Sequence, residues 1–70
     1  MSEWSRAHGR RVLAALLRIG WVVKRQTGCH KILARPGRPD AVFAIHESEE
    51  IGPRMLARLA KHTGLRPEYL

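Results

Sequence analysis

Cys29 and His30 stand side by side in RQTGCHK (25–31), a stretch holding the only cysteine of the chain, one of its four histidines and two of its Lys and Arg residues. Three chemistries suit such a pair: a metal site, a thiol nucleophile with an imidazole base, or proton transfer by the imidazole alone. Metal binding needs further ligands at set spacings, and neither C-x-x-C nor H-x-x-x-H occurs in the chain. Neighbouring residues of an extended strand point to opposite faces, so a strand through both would keep thiol and imidazole apart. No metal and no other cofactor is expected. Cys29 is read as a small packing residue on the underside of a sheet.

The third chemistry stays with His30. It follows the Gly28 turn and lies among Lys24, Arg25 and Lys31, where an anionic backbone would be drawn. Imidazole, with an ordinary pKa of ~6.5, both takes and gives a proton near neutrality. RNA carries its own nucleophile, the 2′-hydroxyl, beside each phosphate. Cutting it needs little beyond a proton-transfer group and cations for the developing phosphorane charge. His46 is a candidate second acid/base. A hairpin centred on Arg38 sets it directly opposite His30, and a small slip of register removes that pairing. His8, at the start of a helix, and His62, near the end of another where a cation suits the dipole, have weaker claims.

The bulk composition favours the same class of partner. Thirteen Lys and Arg against six Asp and Glu leave a net charge of +7 on 70 residues, a field that attracts polyanions. Arg54, Arg58 and Lys61 fall at i, i+4 and i+7 along a helix face and could track phosphates. Membrane insertion is not expected: the longest apolar run is VLAALL (12–17), against the ~20 residues of a spanning helix. The start, MSEWSRAHGRR, lacks the apolar centre of a signal peptide. A single cysteine forms no internal disulfide, which fits a reducing compartment, and the expected location is the cytoplasm.

Positioning these residues falls to few elements. Val12, Leu16 and Ile19 give residues 10–19 a helical stripe that Leu13 and Leu17 widen, and Gly20 ends it. WVVKR (21–25), CHKILA (29–34) and AVFAI (41–45) read as strands. QTG (26–28) reads as a turn and RPGRPD (35–40) as a hairpin loop, two prolines and a glycine opposing a strand. Trp21 is assigned to the core. HESEE (46–50) is a polar loop. Pro53 opens a second helix with Met55, Leu56, Leu59 and Ala60 as its apolar stripe, and Gly64 closes it. The order helix, three antiparallel strands, helix makes an α+β two-layer sandwich with both helices on one face of the sheet. One domain is expected over 1–70, with its core at about 9–65 and a tail, 66–70, that either packs back or frays.

The pieces, in this order, resemble a known family. RIGWVVKRQ (18–26) is similar to L-x-x-x-G-[FW]-x-x-x-R at the end of the first helix, and GCHKI (28–32) to a G-[small]-H turn and strand. PGRPD (36–40) with a strand ending at His46, and EEIGPRMLARLAKHTGL (49–65), complete the pattern. No single piece is specific; their order and spacing in so short a chain are. They resemble the HicA-type mRNA interferase toxins of prokaryotic HicA–HicB toxin–antitoxin modules. The resemblance implies a fold like double-stranded-RNA-binding domains, ribosome-independent cleavage of mRNA, an essential histidine at His30, and a HicB-type antitoxin that covers it. Cys29, Lys31 and Ala44 depart from residues frequent in the pattern, which often has serine or glycine, a second histidine, and proline at those places. Lys24, Arg25, Gly28, Lys31, Arg54, Arg58 and Lys61 are the expected RNA contacts, and a non-catalytic RNA-binding module on the same scaffold is the alternative function.

Overall fold

Val12, Leu13, Ala15 and Leu16 recur at helical spacing. In the computed structural model, which describes residues 3–70, they form the buried face of α1 (Gly9–Arg18). Residues 1 and 2 of the expected domain lie outside the described residues. Ile19 and Gly20 turn the chain out of the helix, Gly20 with a φ of +110° that a side chain would oppose. Leu17, expected to widen the stripe, is 44% exposed.

Three strands follow, β2 (Val22–Thr27), β3 (His30–Arg35) and β4 (Arg38–Phe43), paired antiparallel in the order β2-β3-β4. Alternation along β3 and β4 turns Lys31, Leu33, Ala41 and Phe43 toward the helices, and all four are buried. The opposite face is open, with Val22 and Val42 more than half exposed. Trp21, 1% exposed, precedes β2 and donates its indole N–H to the Thr63 carbonyl at 3.0 Å, which ties the sheet to the far end of the last helix.

Both hairpin connections are shorter than the sequence suggests. Thr27 pairs with His30, so the first turn is Gly28–Cys29 alone, and Gln26 and Thr27 continue the strand. Gly28, at φ +58°, takes the first central place that a type II′ hairpin reserves for glycine. Arg35 pairs with Arg38 around Pro36–Gly37, with Gly37 at φ +83°, as a type II turn requires. The expected loop 35–40 therefore shrinks to two residues, and Pro39 and Asp40 lie inside β4. Proline is tolerated there because β4 is an edge strand with no ladder to supply on its outer side.

A second, two-stranded ladder was not legible in the sequence. β1 (Ala7–His8) pairs with β5 (Glu50–Ile51), joining the segment before α1 to the segment before the last helix. That helix, α2 (Pro53–Thr63), has proline at its start and ends at Gly64, whose φ of +77° lets its N–H reach the Ala60 carbonyl at 2.9 Å. Leu56 is fully buried and Leu59 and Ala60 pack on the core, but Met55, expected in the same stripe, is 49% exposed. The tail packs back: Leu65 is buried, Leu70 rests on the core, and the Arg18 guanidinium donates to the Tyr69 carbonyl at 2.6 Å. The architecture is α+β, with two helices and a three-stranded antiparallel sheet, as a fold like double-stranded-RNA-binding domains requires.

Candidate functional site

The tip of the β2–β3 hairpin divides the expected site residues between two faces. His30 opens β3, is exposed, and its side chain has no hydrogen bond or ion pair among the described residues. Lys31, next along the strand, points the other way and is 8% exposed. The four cationic and imidazole groups expected to gather around one phosphate are therefore not all together. Lys24 is held at 2.9 Å to Asp40 by an ion pair whose partners are each about half exposed. Arg25 is exposed on β2, opposite Ile32. Arg54, Arg58 and Lys61 are all exposed on α2, as the helix spacing requires.

His46 is not opposite His30. Lys31 pairs with Phe43, which sets His30 level with Ala44 and leaves His46 beyond the end of β4. The cause is the short Pro36–Gly37 turn together with the irregularity between Leu33 and Arg35, which centre the Lys31–Phe43 ladder on Gly37, one residue before Arg38. His46 is held instead by the start of α1. The Gly9 N–H donates to the Glu49 carbonyl at 2.8 Å, and the Arg10 N–H to the Glu47 carbonyl at 2.9 Å. Two amides at the helix start, which need acceptors, thus find them in the 46–49 loop. The loop closes on itself through the Glu49 N–H and the His46 carbonyl at 3.0 Å. That carbonyl lies so close over Gly9 that a Cβ there would overlap it.

Held in this way, the His46 ring meets Cys29. The sulfur is 2.9 Å from Nε2 and 3.7 Å from Nδ1, the direction of donation depending on the imidazole tautomer. Cys29 is thus not mere packing. It is half-buried, sits in the turn rather than on a strand, and has an imidazole partner seventeen residues away. Cys29 stands in the turn before β3 rather than on the strand expected to carry it, and its pairing with His46 escaped sequence reasoning. The one available signal was glycine at position 9, whose missing side chain admits the His46 loop.

Cys29 and His46 form part of the wall of an open cleft of about 570 Å³ between the hairpin tip and the start of α1. Arg10, Gln26, Lys31 and Ser48 also line it, and His30 does not. Among the described residues no group of three or more His, Cys, Asp or Glu comes together in a way that could hold a metal ion. No helix of the described residues is long and apolar enough to cross a membrane.

Compared with known families, the chain matches the model described as HicA toxin of bacterial toxin–antitoxin over residues 9–65. The matched span opens at Gly9, the residue that admits the His46 loop, and closes at Leu65, which is buried in the core. No curated protein matches the chain.

Proposed function

The chain belongs to the HicA toxin family of bacterial toxin–antitoxin systems, and on that premise we propose that it is an endoribonuclease that cuts mRNA with His30 as general acid/base. The observation that carries the proposal is the setting of His30: exposed, its side chain without a partner among the described residues, at the mouth of a hairpin on the open face of the sheet. An imidazole so placed is free to meet a 2′-hydroxyl and its phosphate. It removes the hydroxyl proton as the oxygen attacks phosphorus, and the same proton is available to the departing 5′-oxygen. Negative charge grows on the equatorial phosphate oxygens, where a cation lowers the barrier most. Lys24 and Arg25 on the neighbouring strand supply that charge, Lys24 by exchanging its exposed Asp40 partner for phosphate.

Membership of the family implies an antitoxin partner. In this proposal that partner is a HicB-type protein that covers His30, and the substrate is cytoplasmic mRNA. The test is induced expression of wild type and His30→Ala, with growth and RNA integrity followed, beside cleavage of RNA by the purified proteins. His30→Ala is expected to arrest no growth and to cut RNA ~10²–10⁴-fold more slowly, with an unchanged fold because the side chain is exposed. Equal cleavage by the two proteins would refute the assignment. Salt-sensitive binding by wild type with no cleavage products would favour the non-catalytic RNA-binding reading instead.

A further inference from the structure

Lys31 is the one lysine or arginine buried in the core-facing layer, with 8% of its surface exposed. Its side chain makes no hydrogen bond and no ion pair among the described residues. No side-chain nitrogen is both fully buried and unpartnered among them, so its aliphatic stem is enclosed while its ammonium emerges into the cleft that it lines. The charge is thus presented at the cleft rather than buried, and no carboxylate of the described residues pairs with it. Glu47 borders the cleft as well, yet forms no ion pair with Lys31 or Arg10.

The remaining wall is rich in donors: the Arg10 guanidinium, the Gln26 amide, the Ser48 hydroxyl and the Cys29–His46 pair. A compact group with several acceptor oxygens and negative charge fits this set. We infer that the cleft is a subsite for a phosphate group, with the Lys31 ammonium at its centre and Arg10 at its mouth. His46 is fixed against Gly9 by its backbone and against Cys29 by its ring, so its imidazole is held in place in the wall, and it donates to the cleft only in the tautomer or charge state that leaves an N–H free. The subsite faces away from His30 across the Gly28–Cys29 turn. An RNA chain running over the hairpin tip would leave one phosphate with His30 and another in the cleft. The RNA source rests on the ribonuclease reading above, whereas the phosphate chemistry does not.

The experiment follows amide signals of ¹⁵N-labelled protein. Inorganic phosphate is expected to move Gly28, Cys29, Lys31, Glu47 and Ser48, and to move none of them in Lys31→Met, which keeps the apolar stem and removes the charge. Single-stranded RNA with 2′-O-methyl groups, which this chemistry cannot cut, is expected to move the same signals. Lys31→Met should weaken that RNA roughly tenfold and lower the salt slope of binding by ~0.7, the share of one phosphate contact. Arg10→Gln, at an exposed position that leaves the fold intact, should weaken RNA by a smaller factor. Phosphate that moves no cleft signal, or that binds Lys31→Met as it binds wild type, overturns the subsite. Cleft signals that respond to phosphate but not to RNA overturn the RNA source and keep the phosphate site. Because neither titration depends on cleavage, a protein that cuts no RNA yet fills the cleft refutes the function proposed above and leaves this inference standing.

Discussion

Gly9→Ala sets two effects of opposite sign against each other. Alanine is the better helix former, by up to ~1 kcal/mol at an interior position, and Gly9 opens a helix with no positive φ to protect. Propensity alone predicts a more stable protein. The contact predicts the reverse: a Cβ would stand 3.2 Å from the His46 carbonyl carbon, 3.3 Å from the Glu47 Cα, and closer still to the carbonyl oxygen. These are backbone atoms, so the loop must move. Overpacking of this kind costs about 1–3 kcal/mol. Movement also weakens the hydrogen bonds from Gly9 to Glu49 and from Arg10 to Glu47, each worth ~0.5–1.5 kcal/mol. The net expectation is a loss of about 2–3 kcal/mol, or roughly 10–20 °C in Tm for a domain of this size. Urea denaturation followed by tryptophan emission measures it, because Trp4 and Trp21 are both buried; the midpoint should fall with little change in slope. A variant as stable as wild type would refute the close approach, and with it the account of how His46 is held.

Two other substitutions test the frame around the site. Trp21→Phe deprives the Thr63 carbonyl of its buried donor and is expected to cost about 1–3 kcal/mol, read from the same denaturation. Lys24→Ala removes an ion pair whose partners are about half exposed, so stability should change by less than ~1 kcal/mol, while RNA affinity falls at low salt; a large loss of stability would show that Lys24 supports the fold rather than the ligand.

Much of this fold can be read from pattern, and the misses share one physical origin. Val12 and Leu16 mark the buried side of α1 by period alone, and Gly20 and Gly64 mark the helix ends by their positive φ. Pro36 and Pro39 read alike as strand breakers, yet only the first is in a turn. Whether proline breaks a strand depends on whether that strand is an edge, which is a tertiary fact. Misplacing Pro39 left the hairpin centre open, and with it whether His46 stands opposite His30. Charge groups Lys31 with His30 at one phosphate, whereas alternation with Leu33 on β3 places it on the buried face. Ala7–His8 and Glu50–Ile51 are too short to show any period. The contact between Cys29 and His46 depends on all of these outcomes at once.

The bond from Trp21 to Thr63, and the packing of Leu65 beside it, also bear on when the protein can exist in folded form. The core that encloses Val12 and Leu16 also contains Leu56 and Leu65, so it cannot close on a nascent chain until its last buried residue has been made. At 5–20 residues per second, Val12 waits roughly 3–11 s for Leu65. His30 is synthesised early in that interval, but the sheet and helices that would support it are not yet assembled. A chain cut short before Leu65 lacks a buried member of that core.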